Sequence, residues 1–423
     1  MKRSYTLAAT AALVAPVLLL TACGKSSSSE ETSSAAATSA AASATAAATA
    51  SAAASAASGQ PDVNGDGSVT IGIMSPGDTK DKGYYESFVD KANAFADQQG
   101  WKVVTVDKIN PSDAVNQALN LCKQNVDMVA VAASELKDAL QATTDPACAG
   151  VQWYVNGGGG VEQTPYFTQS TDEVNPTLFA TGYAAGLAMK DKGVTKAGFI
   201  TGPELDFSKQ AAAAFTAGIQ NVIPDATVAV TYTGDFNDSA KAKEAAQAQI
   251  DQGVGLIYPY LGGATDAVAQ LANETGVLTV TPGTDRCEDT TTPFSISSIF
   301  DPGVYFAAAL EDFAKGNLPM GQARVWKLGV DPVPTVKMCG DLSSFQGELD
   351  TEIKSIGDGT VDVDALVAQW RTLRQSPVAS DAALHTADAT SDAAYRETNT
   401  IVGRKGRVRL LISRRGSRAG RRE

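Results

Sequence analysis

Short apolar runs alternate with longer Ala-rich segments through most of the chain. The runs are Val69 to Met74, Val103 to Val106, Met128 to Ala132, Gln152 to Val155, Ala197 to Thr201, Val228 to Tyr232, Leu256 to Tyr258 and Val277 to Thr281. Segments with helical composition separate them, at 86–98, 111–124, 174–192, 208–221, 238–252 and 264–275. Strand and helix taken in turn predict an α/β fold with right-handed crossovers and parallel sheets covered on both faces. Parallel strands buried on both sides read as continuous apolar runs, as these do. The stretch from about 68 to 376 is long enough for two domains with their own cores.

In such sheets ligands meet the loops at the carboxyl ends of the strands. Those loops hold Asp81, Tyr84 and Tyr85 after the first run, Ser134 after the third, and Asn156 with glycines to Gly160 after the fourth. Later ends carry Pro203-Glu-Leu-Asp-Phe207, Gly234-Asp-Phe-Asn-Asp238, Pro259-Tyr-Leu-Gly-Gly263 and Pro282-Gly-Thr-Asp285. Aromatic rings with acids and amides recur at corresponding ends of both halves. Flat rings stack on a flat ligand, carboxylates and amides fix hydroxyls, and glycine lets backbone approach. Tyr260 either lines a cleft or packs on its helix, and Asp206 and Asp238 either face a ligand or cap the helices that follow.

Outside the periodic body the composition changes. Lys2 and Arg3 precede an apolar stretch from Leu7 to Leu20, the pattern of an export signal over 1–22 and too short for a comfortable span. Leu20-Thr-Ala-Cys23 resembles a bacterial lipobox, which makes Cys23 the expected lipid-bearing residue and the membrane an expected partner through that anchor. Residues 24 to 59 are nearly all Ser, Ala and Thr and offer nothing to bury, so 23–67 reads as the anchor with a flexible tether. Asp62-Val-Asn-Gly-Asp-Gly67 begins like a calcium loop, but Ile73 stands where a bidentate Glu is required, leaving a polar turn. The formal charge of −13 argues against nucleic-acid binding. A basic end from Gly403 onward follows a polar linker, and 377–423 is expected to be a disordered tail without a part in binding, an anionic-membrane contact being the alternative.

Gly182-Tyr-Ala-Ala-Gly186, Gly198-Phe-Ile-Thr-Gly202, Phe215-Thr-Ala-Gly218, Tyr232-Thr-Gly-Asp-Phe-Asn-Asp238, Leu256-Ile-Tyr258 with Gly262-Gly263, and Lys327-Leu-Gly-Val330 occur in one order. Together they resemble the basic membrane lipoprotein (BMP) family of ABC-transporter substrate-binding proteins, which includes the purine nucleoside receptor A lipoproteins. The resemblance implies a type I periplasmic-binding-protein fold, two lobes joined by hinge strands and closing on a small nucleoside-like or sugar-like ligand that an ABC permease then receives. Lobe 1 is expected at 68–173 plus about 293–322, and lobe 2 at 174–292 plus about 323–376. Family members hold a base between two aromatic rings. Asp81-Lys-Gly-Tyr-Tyr85 matches the family's D-K-(G/S)-F-N and puts Tyr84 at one ring, with Phe236 of Gly234-Asp-Phe at the other. Gly262 matches the glycine loop, Asp285 an acid at the ribose, and Asp235 accompanies Phe236. Departures are Tyr85 for the family's Asn, Asn156 for its Asp, and Asp301 near where a Lys is expected. They change which hydrogen bonds the cleft can satisfy, so the ligand need not be a common purine nucleoside.

Beyond Cys23 the chain has Cys122, Cys148, Cys287 and Cys339, which allow three pairings. Proximity within the lobes favours Cys122 with Cys148 and Cys287 with Cys339; free buried thiols are the alternative. The sole His, His385, lies in the tail, so no metal and no cofactor are expected. Without G-x-S-x-G or a P-loop, catalysis would need a carboxylate pair as in a glycoside or nucleoside hydrolase, and nothing in sequence brings one together. The remaining rival is a receptor that presents ligand to a membrane sensor. Repressors that share the lobe architecture carry a DNA-binding helix-turn-helix at the position of the signal and tether. A monomer is expected.

Overall fold

The computed structural model describes residues 61–375. The export signal, Cys23, the tether up to residue 60 and the tail from residue 377 lie outside the described residues. Among the described residues no helix is long and apolar enough to cross a membrane.

The first sheet contains β1 (Thr70–Met74), β2 (Lys102–Val106), β3 (Met128–Val131), β4 (Gln152–Asn156) and β5 (Thr168–Asp172). Helices α1 (Tyr84–Gln99) and α2 (Ala114–Cys122) connect its early strands, and a kinked 3₁₀ segment (Ser134–Thr144) follows β3. The chain then enters α3 (Val174–Lys192) and builds a second sheet from β6 (Lys196–Thr201), β7 (Thr227–Tyr232), β8 (Leu256–Tyr260), β9 (Leu278–Gly283) and β10 (Ile296–Ile299). Here the connecting helices are α4 (Asp206–Val222), α5 (Ser239–Asp251) and α6 (Thr265–Glu274). After α7 (Pro302–Ala314), β11 (Ala323–Trp326) returns to the first sheet and β12 (Thr335–Met338) joins the second, followed by α8 (Gln346–Gly357) and α9 (Val363–Gln375).

The strand orders are β11-β5-β4-β3-β1-β2 and β12-β10-β9-β8-β6-β7, so both sheets are wound alike. All pairings are parallel except β12 against β10. Each order reverses direction at its first strand, between β1 and β3 in one sheet and between β6 and β8 in the other. That reversal splays the loops at the carboxyl ends apart and opens a crevice there.

Alternate residues of the first sheet feed two separate cores, because successive side chains of a strand point to opposite faces. Met74, Val129, Val131, Trp153 and Val155 pack with Leu121 of α2. Ile71, Ile73, Met128, Ala130 and Tyr154 pack with Phe88 of α1 and Phe306 of α7. In the second lobe α3 is buried nearly all round. It lies close against α4, where a Cβ on Gly182 would fall 2.0 Å from the Phe215 carbonyl oxygen and one on Gly218 2.0 Å from that of Phe179. These glycines of the resemblance serve helix packing. The disulfides are Cys122–Cys148, within the first lobe, and Cys287–Cys339, within the second.

Two expectations need correction. The return segment expected at about 293–322 begins later, because β10 hydrogen-bonds in register beside β9 (Ile296 with Val280) and so belongs to the second sheet. It also ends later, because β11 pairs with β5 (Trp326 with Asp172) in the first. The chain thus crosses between sheets three times, near residues 173, 300 and 327. The helix expected at 111–124 divides into a 3₁₀ turn (Pro111–Asp113) and α2, the turn being capped by the Asn110 side chain accepting from Ser112 N. The Asp62 loop is the polar turn expected of it: Asp62 accepts from the backbone N–H groups of Gly65, Asp66 and Gly67.

Candidate functional site

The carboxyl ends of both sheets converge on a cavity of about 370 Å³, within the range of small-molecule sites. Its aromatic lining comprises Tyr84, Tyr85, Phe207, Phe236, Tyr260 and Phe300. Backbone meets it through Gly157 to Gly160 and Gly262, and polar groups through Ser134, Glu135, Thr171, Asp172, Asp206 and Gln210.

Tyr84 and Tyr85 open α1, and Asp81 fixes where that helix begins. Gly83, at the N-cap, has no side chain to cap with. Asp81 does so instead: Oδ1 accepts from Gly83 N at 2.9 Å and Glu86 N at 3.0 Å, and Oδ2 from Tyr85 N at 3.3 Å. Burial outweighs these bonds and raises the Asp81 carboxyl above its usual value. The two rings meet edge to face with centroids 5.4 Å apart. From behind, the buried Asn156 donates from Nδ2 to Tyr84 Oη at 2.5 Å. Gly283 takes φ +92° where the second lobe passes Tyr84, and a Cβ there would sit 3.6 Å from that of Tyr84.

On the opposite side, Phe236 is set by the loop after β7. Its carbonyl accepts from Gly262 N and Ala264 N, at 3.0 and 3.3 Å. Asp235 accepts from Asn237 N at 2.7 Å and shapes the same turn. Gly202 makes room for the ring, since a Cβ there would lie 2.6 Å from it. Phe207 stacks beside Phe236 with centroids 6.1 Å apart. Tyr260 and Tyr84 are bridged by Phe300, 6.0 and 6.2 Å from them.

Of the residues expected from sequence, Tyr84, Tyr85, Ser134, Phe236, Tyr260 and Gly262 line the cavity. Asp81, Asn156 and Asp235 lie behind it and hold lining residues in place. Asp285 is elsewhere. Lys337 Nζ pairs with it at 2.7 Å, and it accepts from the N–H of Cys287, whose disulfide fixes the turn. Against partial burial these contacts hold its carboxyl below the usual range. Asp301 caps α7, accepting from Gly303 N, and also accepts from Ser87 Oγ on α1 at 2.5 Å. Asp238 caps α5 by accepting from Ala240 N and Lys241 N, both at 3.1 Å.

The expected set omitted Glu135, Asp172 and Phe300. Glu135 adjoins Ser134, a signal available in sequence. Asp172 and Phe300 close strands without apolar runs, at two of the three crossings. Burial, with the Glu173 carboxylate beside it, lifts the Asp172 carboxyl from 3.8 to about 6. Burial also raises Glu135. The Tyr84 hydroxyl is raised first by burial and then by the charges of Glu135 and Asp172, as is that of Tyr260 by burial, Asp172 and Glu135. Both carboxyl groups therefore stand among these rings.

Two like-wound lobes joined by three crossings, with a ring-lined cavity where their strand ends meet, define a bilobal solute-binding protein. The chain belongs to the Bmp family, ABC transporter substrate-binding protein PnrA-like, which it matches over residues 68–358. Members of this family are extracytoplasmic-type binding proteins that hold a solute for a transporter and do not transform it. The ABC transporter nucleoside-binding protein BmpA of Lactococcus lactis subsp. cremoris is 33% identical over 96 residues, 23% of this chain and 26% of that protein. The CD4+ T-cell-stimulating antigen of Listeria monocytogenes is 32% identical over 94 residues, 22% of this chain and 26% of that protein. The chain thus matches about a quarter of the length of these curated relatives. Among solved structures, a solute-binding protein of Conexibacter woesei aligns with TM-score 0.52 at 21% identity, over 70% of this chain and 98% of that one. One of Aeropyrum pernix aligns with TM-score 0.56 at 16% identity, over 72% and 90%. These last two bear on the fold alone.

Proposed function

We propose that the protein is the lipid-anchored receptor of an ABC importer, capturing a nucleoside-like or other small cyclic solute between its lobes and delivering it to a membrane permease. The observation that carries this reading is that Tyr84 from the first lobe and Phe236 from the second line one cavity of nucleoside-compatible size. Tyr84 and Phe236 are the stacking rings. Tyr85 and Tyr260 extend that wall, while Ser134 and Gly262 present polar and backbone groups. The anchor is Cys23, a role taken from the lipobox resemblance. The nucleoside assignment draws on the relative from Lactococcus lactis.

Thermal unfolding of the full chain with nucleosides, bases and sugars tests it. A ligand at 100 times its Kd stabilises by about 2.7 kcal/mol. Tyr84→Ala and Phe236→Ala each remove a lining ring whose burial against the solute is worth about 1.5–3 kcal/mol and should weaken binding tens-fold. A full shift retained by both variants would reject the stacking assignment.

A further inference from the structure

We infer that the solute held by this cavity carries a positive charge, on a quaternary or protonated nitrogen or a heteroaromatic ring, set between the aromatic faces and the carboxyl groups of Glu135 and Asp172. The inference rests on the binding reading above but not on the solute being a nucleoside.

The charge inventory of the lining is one-sided. It contains Glu135, Asp172 and, at an exposed position, Asp206, and it contains no Lys, Arg or His. Two cations near the cavity are paired elsewhere: Lys137, beside Gly160, with Asp138 at 3.3 Å, and Lys209 with Glu204 at 3.4 Å. Among the described residues neither Glu135 nor Asp172 takes part in an ion pair. A desolvated carboxylate without a counter-charge is costly, and it is offset by taking up a proton, by accepting hydrogen bonds as Asp81 does, or, most strongly, by binding a cation.

The second lobe shows the contrasting case. The buried Arg286 is matched on both sides, Nη1 to Asp266 and Nη2 to Asp289, each at 2.5 Å. At Arg286 the fold supplies both partners of a buried charge; for the partly buried Glu135 and Asp172 of the cavity it supplies no cation. The rings point the same way. Tyr, Phe and Trp faces carry negative electrostatic potential, so rings that would merely stack a neutral base attract a cation more strongly. Carboxylates placed among them add to that attraction and repel anionic solutes.

Two size-matched pairs, one of isomers and one of isosteres, vary the charge. 1-Methyladenosine is cationic at neutral pH and N6-methyladenosine is its neutral isomer. Choline and 3,3-dimethylbutanol differ by a quaternary nitrogen in place of a carbon. Affinity of the full chain for each is measured by calorimetry at pH 7, together with Glu135→Gln, Asp172→Asn and the double variant, whose folding is checked by circular dichroism. The expected result is that the cationic member of at least one pair binds about tenfold or more tightly than its neutral isostere. The double variant should lose that preference; should it not fold, each single variant should reduce it. Equal or tighter binding of the neutral member in every pair that binds overturns the inference, as does a preference that survives the carboxyl substitutions or the absence of binding by all four probes. Binding of choline with both nucleosides silent would remove the nucleoside reading and leave the inference standing. Binding of N6-methyladenosine as tightly as its isomer, with choline silent, would do the reverse.

Discussion

The two walls of the cavity come from equivalent strand ends and differ in chemistry. The first lobe presents Tyr84 and Tyr85 after β1, Ser134 and Glu135 after β3, the glycines after β4 and Asp172 at the end of β5. The second presents Phe207 after β6, Phe236 after β7, Tyr260, Leu261 and Gly262 around the end of β8, and Val174 and Leu178 from α3. Its one acid in the lining, Asp206, is exposed. One winding pattern, used twice, has divided the labour: the partly buried carboxyls sit on the first lobe, and the second gives mostly apolar cover with the exposed Asp206 and Gln210.

The largest effect that separates the walls is in pH dependence. With its carboxyl at about 6 against an ordinary 3.8, Asp172 binds its proton more tightly in the folded than in the unfolded chain. Its contribution to stability is therefore full below pH 3.8 and is lost as pH rises through about 6, a change of about 3 kcal/mol. Denaturant unfolding at a series of pH values should show Asp172→Asn gaining on the wild type by about that much across this window, while Phe236→Ala keeps the wild-type slope. Parallel profiles for wild type and Asp172→Asn would erase the distinction.

A smaller effect sharpens it. Asp81→Ala removes the acceptor for three N–H groups at the start of α1 and should lower stability by about 1 kcal/mol, with binding weakened because Tyr84 and Tyr85 lose their fixed entry. Unchanged unfolding and unchanged affinity would show that Asp81 does not set the first wall. The smallest effect is expected at Asp285, a surface partner of Lys337: Asp285→Ala should change stability by less than about 1 kcal/mol and leave solute affinity as it was. A large loss of binding there would return Asp285 to the site and break the present division between walls.

What the sequence made legible follows from how each strand is buried. The strands of each sheet that read as apolar runs, such as Ile71 to Met74 or Met128 to Val131, were found within a residue or two, and with them Tyr84, Ser134, Phe236 and Tyr260 at their ends. The strands that escaped are Thr168–Asp172, Ile296–Ile299, Ala323–Trp326 and Thr335–Met338. The first two are buried yet polar, satisfied by bonds such as Gln169 Nε2 to the Gly157 carbonyl at 2.8 Å and Thr181 Oγ1 with Ser298 Oγ at 2.7 Å. A polar buried strand has no signature in an apolar pattern. These strands carry crossings, so the lobe boundaries and the residues at their ends, Asp172 and Phe300, have no apolar signal to mark them. Asp285 differs in kind: Lys337 lies 52 residues further along the chain and is placed beside it only by the pairing of β10 with β12.

Asp172 and Phe300 stand beside two of the three crossings, the connections about which one lobe would turn on the other. In a rotation of one lobe about such connections, displacement grows with distance from the axis, so the groups beside the connections travel least. A solute that reaches the base of such a cleft would meet groups that move little, a pivot already close to its final geometry. Sampling at the pivot would then come before enclosure, and a molecule rejected there could leave without the cost of a completed stroke.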